Sequence, residues 1–269
     1  MARLVSRRAL FALCPFDSTG AAQMKPFLIL QLRPETAASD NEFEAILEKS
    51  GLAATDARRI RLDQEAIPAD FTLDDYAGVI VGGGPGCVSD PREHKSEAER
   101  RIEDSILGLM PTITAEDFPF MGCCYGIGIL AHHLGAKVNK ERYGEPVGAV
   151  ECVVTDDGKA DPLTAALPDK FLAFVGHKEA VQEQPEGCAT LLTSKPCPFQ
   201  MIRFKRNVYA TQFHPEADSH GFEVRINIYK DKGYFPPEEA DALIAMCHRQ
   251  HVQVPEGILR GFVDRYREN

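Results

Sequence analysis

The run FMGCCYGIGIL, residues 120–130, carries two adjacent cysteines among three glycines, Gly122, Gly126 and Gly128. A strand that passes through Gly-x-Cys-x-Gly directly into a helix makes a sharp elbow. The residues two before and two after the central one crowd together there, and only small side chains fit. Glycines stand at both offsets from Cys124, whereas the same offsets from Cys123 hold Met121 and Tyr125. The spacing therefore selects Cys124 as the candidate nucleophile and leaves Cys123 as a core or supporting residue. At the N-terminus of the following helix, Cys124 also meets a partial positive charge that favours thiolate over thiol.

A cysteine nucleophile works with a base, and the base with an orienting group. Of the eight histidines, His132 and His133 lie on the helix after the elbow, and His94, His220, His248 and His251 fall in charged helical stretches. Cys247, His248 and His251 share one helix with no second cluster, so no metal ligand set is assigned. His177 and His214 remain, each at the end of a strand. His214 is the better placed, because YATQFHPE ends an apolar strand in His-Pro-Glu. Residues i and i+2 of an extended segment face the same side, so Glu216 reaches the His214 imidazole, and Pro215 stiffens the link. Cys124, His214 and Glu216 are thus a candidate triad for acyl transfer. That chemistry builds negative charge on a carbonyl oxygen, which backbone N–H groups stabilise. The GGGPG loop, residues 82–86, supplies one donor from the Gly84 amide, and the Tyr125 amide beside the nucleophile supplies the other. The loop lacks the lysine and hydroxyl of a phosphate loop, and no G-x-G-x-x-G with an acidic partner occurs.

These groups need a frame. Residues 27–32 form a run that is apolar except for Gln31, as a parallel strand covered on both faces requires. A helix capped by Asp40 and stopped by Gly51 follows, then a strand at RRIRL, a third at residues 77–81, a charged helix over about 93–110 and a fourth strand at FPFMG. IGILAHHLG reads as a helix ending at Gly135. Strands alternating with helices at this spacing predict a parallel sheet. After about residue 147 come the short strands VGAVECVVT, KFLAFVGH, CATLLTS, QMIRF and NVYATQF, the last pair forming a hairpin near Lys205, Arg206 and Asn207. Three helices, around 220–230, 237–250 and 256–267, close the chain. Residues 1–24, with Arg7 and Arg8 before a short apolar run, read as a tail or upstream start outside the core, and residues 25–269 as a single domain.

Composition narrows the function. A formal charge of −10, with only short Lys/Arg pairs, argues against nucleic acid and anionic membrane as partners. No apolar stretch approaches the roughly 20 residues a membrane span needs. Eight scattered cysteines in a chain long enough to build its own core read as reduced thiols and a cytoplasmic location.

GGGPGCVSD, MGCCYGIG, VGHKEAV, CPFQMIRF and YATQFHPE, in this order and spacing, resemble class I (triad) glutamine amidotransferases. The likeness is greatest to the amidotransferase half of GMP synthase and its stand-alone relatives, and it spans roughly residues 27–217. It implies a flavodoxin-like, mostly parallel central sheet flanked by helices, and a Cys-His-Glu triad that hydrolyses glutamine to glutamate and ammonia through a glutamyl thioester, with no cofactor. Two positions depart from the family. Its elbow continues to a glutamine that helps hold the substrate amide, where this chain has Gly128, and its Ser-His pair is Gly176-His177 here. These departures fall on substrate binding, so Gly128, Gly176 and His177 mark that region. Two activities follow. An amidotransferase hands ammonia to a synthetase, here on a separate chain, since about fifty residues follow His-Pro-Glu without an ATP-binding domain. A γ-glutamyl hydrolase acts on γ-glutamyl compounds alone. A non-catalytic binding module is the third alternative.

Overall fold

The computed structural model describes residues 24–268; apart from Met24, the segment read as a tail lies outside them. In chain order the elements are β1 (Phe27–Gln31), α1 (Thr36–Ser50), β2 (Ala57–Arg61), β3 (Gly78–Val81), α2 (Glu97–Glu116), β4 (Phe120–Cys123), α3 (Tyr125–His133), β5 (Val138–Asn139) and β6 (Glu145–Val154). They continue through α4 (Asp156–Ala160), β7 (Lys170–His177), β8 (Ala180–Val181), β9 (Cys188–Ser194), β10 (Met201–Phe204), β11 (Val208–Thr211), α5 (Ser219–Tyr229), α6 (Ala240–His248) and α7 (Val254–Tyr266).

Nine strands form one sheet in the order β2-β1-β3-β4-β11-β10-β9-β6-β7, and β5 pairs with β8 apart from it. The first five of the nine run parallel. Counted by themselves their order is 2-1-3-4-5, the flavodoxin-like arrangement that the family resemblance implies. β10, β9, β6 and β7 extend the same sheet by antiparallel pairing. Every residue of β1, β3, β4 and β11 is buried, as strands covered on both faces demand. Alternate residues feed two cores. Leu28, Val79 and Val81 meet Ile106 and Ile113 of α2 and Ile129 of α3 on one face. Ile29, Ile80 and Met121 meet Ile258 and Phe262 of α7 on the other.

Two helix starts differ from the sequence reading. α1 begins at Thr36, which places Asp40 inside the helix, where its carboxylate pairs with Arg59 at 2.7 Å instead of capping. α2 begins after Ser96, where Ser96 and Glu99 form a reciprocal capping box, and continues past Pro111 to Glu116. Burial of Ile113 and the Thr114 hydroxyl bond to the Met110 carbonyl, 2.8 Å, support the last turn. Gly51 ends α1 with φ 73°, as read.

The topology brings the candidate residues to one edge of the sheet. Residues following β1, β3, β4 and β11 emerge at the carboxyl ends of four neighbouring parallel strands. That edge is where open α/β sheets bind ligands. Arg33 follows β1, the glycine loop follows β3, Cys124 follows β4 and His214 follows β11.

Candidate active site

Cys124 joins β4 to α3 with φ 54° and ψ −86°, a conformation that L-residues seldom adopt. Its amide donates to the Thr211 carbonyl at 2.8 Å, tying the elbow to β11. A Cβ added to Gly122 would lie 3.0 Å from the Gly126 backbone, so the crowding inferred from the glycine spacing is present. Cys123 points the other way, fully buried in the core beside Ile80 and Met121. Cys124 keeps 8% exposure and lines the two cavities described below.

His214 and Glu216 meet as the His-Pro-Glu spacing predicts, with Nδ1 2.9 Å from Oε1. Arg225 of α5 donates from Nη2 to the same oxygen at 2.8 Å. Glu216 is fully buried, which alone would raise its pKa. The charges of His214 and Arg225 outweigh burial and hold the carboxyl well below its usual range. The His214 ring packs edge-on against Phe222 and lies over Gly83, where a Cβ would come within 2.6 Å of Cε1. Burial lowers its pKa, Glu216 acts to raise it and Arg225 to lower it. Burial also pushes the Cys124 thiol up to about 12, with Arg33 and Arg225 acting against burial and Glu216 with it. Burial thus works against the helix terminus, favouring the thiol at Cys124 and the neutral imidazole at His214.

The glycine loop is anchored from beneath. The Gly83 amide donates to Glu42 Oε2 at 3.1 Å, and Arg33 Nε donates to the same oxygen at 2.8 Å. Among the described residues the Gly84 and Tyr125 amides have no intramolecular acceptor, and both line the cavity that holds Cys124. From the strap between α5 and α6, the Tyr234 hydroxyl donates to the Pro85 carbonyl at 2.8 Å, and Lys178 Nζ sits 4.0 Å from the centre of its ring.

Two cavities meet at Cys124. One, about 30 Å³, is lined by Gly84, Tyr125, Gly128, Gly176, His177 and Glu179. The other, about 50 Å³, is lined by Gly84, His214, Arg33 and Arg225 among others. At Gly128 a Cβ would lie 3.0 Å from Glu179 Oε1. The buried Glu179 carboxylate thus fills the space beside the missing side chain. It accepts from the Val88 amide (2.8 Å), the Ser89 amide (3.0 Å) and the Ser89 hydroxyl (2.7 Å). His177 Nδ1 donates to the Glu179 carbonyl and its Nε2 meets Glu145 Oε2, both at 2.8 Å, and Gln200 Nε2 donates to that same Glu145 oxygen at 2.6 Å. With Cys197, Glu145 and His177 bring three potential ligand atoms within 4.8 Å of one another. Cys197 is fully buried and burial pushes its thiol up to about 12.

The sequence reading did not include Arg33, Glu42, Arg225, Glu179 or Tyr234. A signal existed for Arg33 alone: a charged residue directly after a mostly apolar strand, at the edge where the other site residues emerge.

The family model for glutamine amidotransferase class-I matches residues 39–227. GMP synthase [glutamine-hydrolyzing] of Listeria monocytogenes is 33% identical over 172 residues, covering 60% of this chain and 30% of that protein. The enzyme of the same name from Elusimicrobium minutum is 29% identical over 214 residues, covering 72% of this chain and 38% of that protein. The chain thus spans about a third of the length of these relatives. Among solved structures, a glutamine amidotransferase from Thermotoga maritima superposes with a TM-score of 0.71 at 21% identity, covering 91% of this chain and 99% of that one. A glutamine amido transferase from Methylobacillus flagellatus gives 0.65 at 19% identity, covering 91% and 97%. These two likenesses concern the fold.

Proposed function

The chain belongs to the class-I glutamine amidotransferase family, and from that premise we propose that it is a cysteine-nucleophile amidohydrolase acting on a γ-glutamyl amide. The observation that carries the proposal is the elbow at Cys124, which shares a cavity with a His214 imidazole held by Glu216. His214 Nε2 takes the thiol proton as Sγ attacks the amide carbon. The oxyanion points at the free amides of Gly84 and Tyr125. His214 returns the proton to the leaving nitrogen, the C–N bond breaks and a γ-glutamyl thioester remains. Water, deprotonated by the same imidazole, then cleaves the C–S bond and releases glutamate. Glu216 keeps the Nδ1 proton in place and stabilises the transient imidazolium, and Arg225 fixes Glu216 in turn. The Glu145, His177 and Cys197 set fits a structural role better, because Cys197 stands at no elbow and lines neither cavity.

Glutamine is the first substrate to test, since the GMP synthases that the chain resembles are glutamine-hydrolysing. An ammonia-accepting synthetase would then be its partner. The assay is glutamate release from glutamine, γ-glutamyl dipeptides and γ-glutamyl amines, with labelling by a glutamine-like chloroketone. One equivalent of label and glutamate from at least one substrate are expected. Absence of both would leave the fold serving as a binding module.

A specific observation favours a γ-glutamyl compound over free glutamine. The side chain that holds the glutamine amide in the family is missing at Gly128, and Glu179 stands there instead. Gly128→Gln restores a hold on the amide itself, where a dipeptide already gains contacts through its leaving group, so it is expected to raise kcat/KM for glutamine relative to a γ-glutamyl dipeptide. It must displace the Glu179 carboxylate, so a stability loss of about 1–3 kcal/mol should accompany it, seen as a lower Tm. An unchanged substrate ratio in a folded variant would remove Gly128 from the specificity argument.

A further inference from the structure

The two cavities at Cys124 divide the substrate between them. The smaller contains the oxyanion donors, Gly128 and His177 but not His214, and so receives the acyl side. The leaving nitrogen must face the proton on His214, so whatever that nitrogen carries extends into the other cavity. There, two arginines at 5% and 6% exposure line the cavity. Arg33 donates from Nε to Glu42 and from Nη1 to the Tyr229 hydroxyl at 3.3 Å; its Nη2 has no hydrogen bond among the described residues. Arg225 donates from Nη2 to Glu216, while its Nε and Nη1 are buried without a partner. Each guanidinium is therefore fixed by one carboxylate and retains unused N–H groups.

Departing ammonia offers these donors a single lone pair. A carboxylate offers two oxygens in the planar geometry that guanidinium groups match. The rest of the wall, Phe222, Ile226, Tyr229 and Phe235, is apolar or aromatic. Arg33 precedes, and Tyr229 and Phe235 follow, the residues 39–227 that match the family model, so this wall draws on parts of the chain outside the shared segment.

We propose that Arg33 and Arg225 form a carboxylate subsite for the leaving group, making the substrate class γ-glutamyl amides of amino acids. The proposal rests on the amidohydrolase reading for its assignment of the two sides. The reaction is then γ-glutamyl–NH–R plus water giving glutamate and the free amino acid, with the amide C–N bond broken and the proton from His214 on the departing nitrogen.

The test compares γ-glutamyl-leucine with γ-glutamyl-leucinamide, which differ only in the charge of the leaving group. Binding of each to the Cys124→Ala protein is measured by calorimetry, and turnover of each by the wild-type protein. The acid should bind roughly 10- to 100-fold tighter than the amide, the range set by charge-assisted hydrogen bonds, and Arg33→Gln in the same background should bring the ratio towards one. Equal binding of acid and amide, or binding of neither, overturns the subsite. So does a preference that survives Arg33→Gln. Should Arg33→Gln fail to fold, the acid-to-amide ratio in the Arg33 protein decides by itself. Selective binding of the acid without turnover of either peptide would keep the subsite and overturn the hydrolysis reading.

Discussion

Cys124→Ala is expected to abolish turnover, by roughly 10³-fold or more, while Cys123→Ala retains it. The two sulfurs are adjacent in sequence and opposite in environment. Cys123 is sealed in the core below the sheet, and Cys124 sits at the elbow with both cavities opening on it. Alkylation by iodoacetamide, mapped by mass spectrometry, separates them without relying on turnover. Label should accumulate on Cys124. Because burial pushes that thiol up to about 12, thiolate is a minor species near neutrality. The labelling rate should therefore climb about tenfold per pH unit from pH 7 to pH 9. A plateau reached below pH 9 would show that Arg33, Arg225 and the helix terminus prevail over burial. Label on Cys123 with Cys124 untouched would refute the elbow argument itself.

The sequence exposed those parts of the site that depend on local spacing. Gly122, Cys124 and Gly126 define their own turn, and His214 and Glu216 are two residues apart on one extended segment. Such relations need no knowledge of what packs against them. The inner parallel strands were legible for a similar reason, since burial on both faces leaves mostly apolar runs. Partners set by tertiary contact were not legible. Glu216 is bound by Arg225 from a helix nine residues on, the glycine loop by Glu42 from α1, and Gly128 faces Glu179, 51 positions further along the chain. Nothing local in YKDKGYFPP indicates that Tyr234 reaches the Pro85 carbonyl. The start of α1 was misplaced for the same reason: Asp40 has the chemistry of a cap, and Arg59 on a neighbouring strand claims it.

His214→Ala should be nearly as damaging as Cys124→Ala, because neither thiol deprotonation nor protonation of the leaving nitrogen proceeds efficiently without the imidazole. Glu216→Gln should be milder, retaining about 10- to 100-fold more activity than His214→Ala, since the base itself remains while the charge that orients and stabilises it is lost. The pH dependence gives this assignment a second handle. Burial and Arg225 lower the His214 pKa and Glu216 raises it, with burial dominant, so the acid limb of kcat/KM should fall below the ordinary value of 6.5. Removing the Glu216 charge takes away the raising influence and leaves burial and Arg225 unopposed. The acid limb of Glu216→Gln should therefore move to still lower pH while kcat drops. A limb that moves upward, or loss of activity in His177→Ala with His214→Ala still active, would transfer the base to the Glu145–His177 pair and overturn the triad.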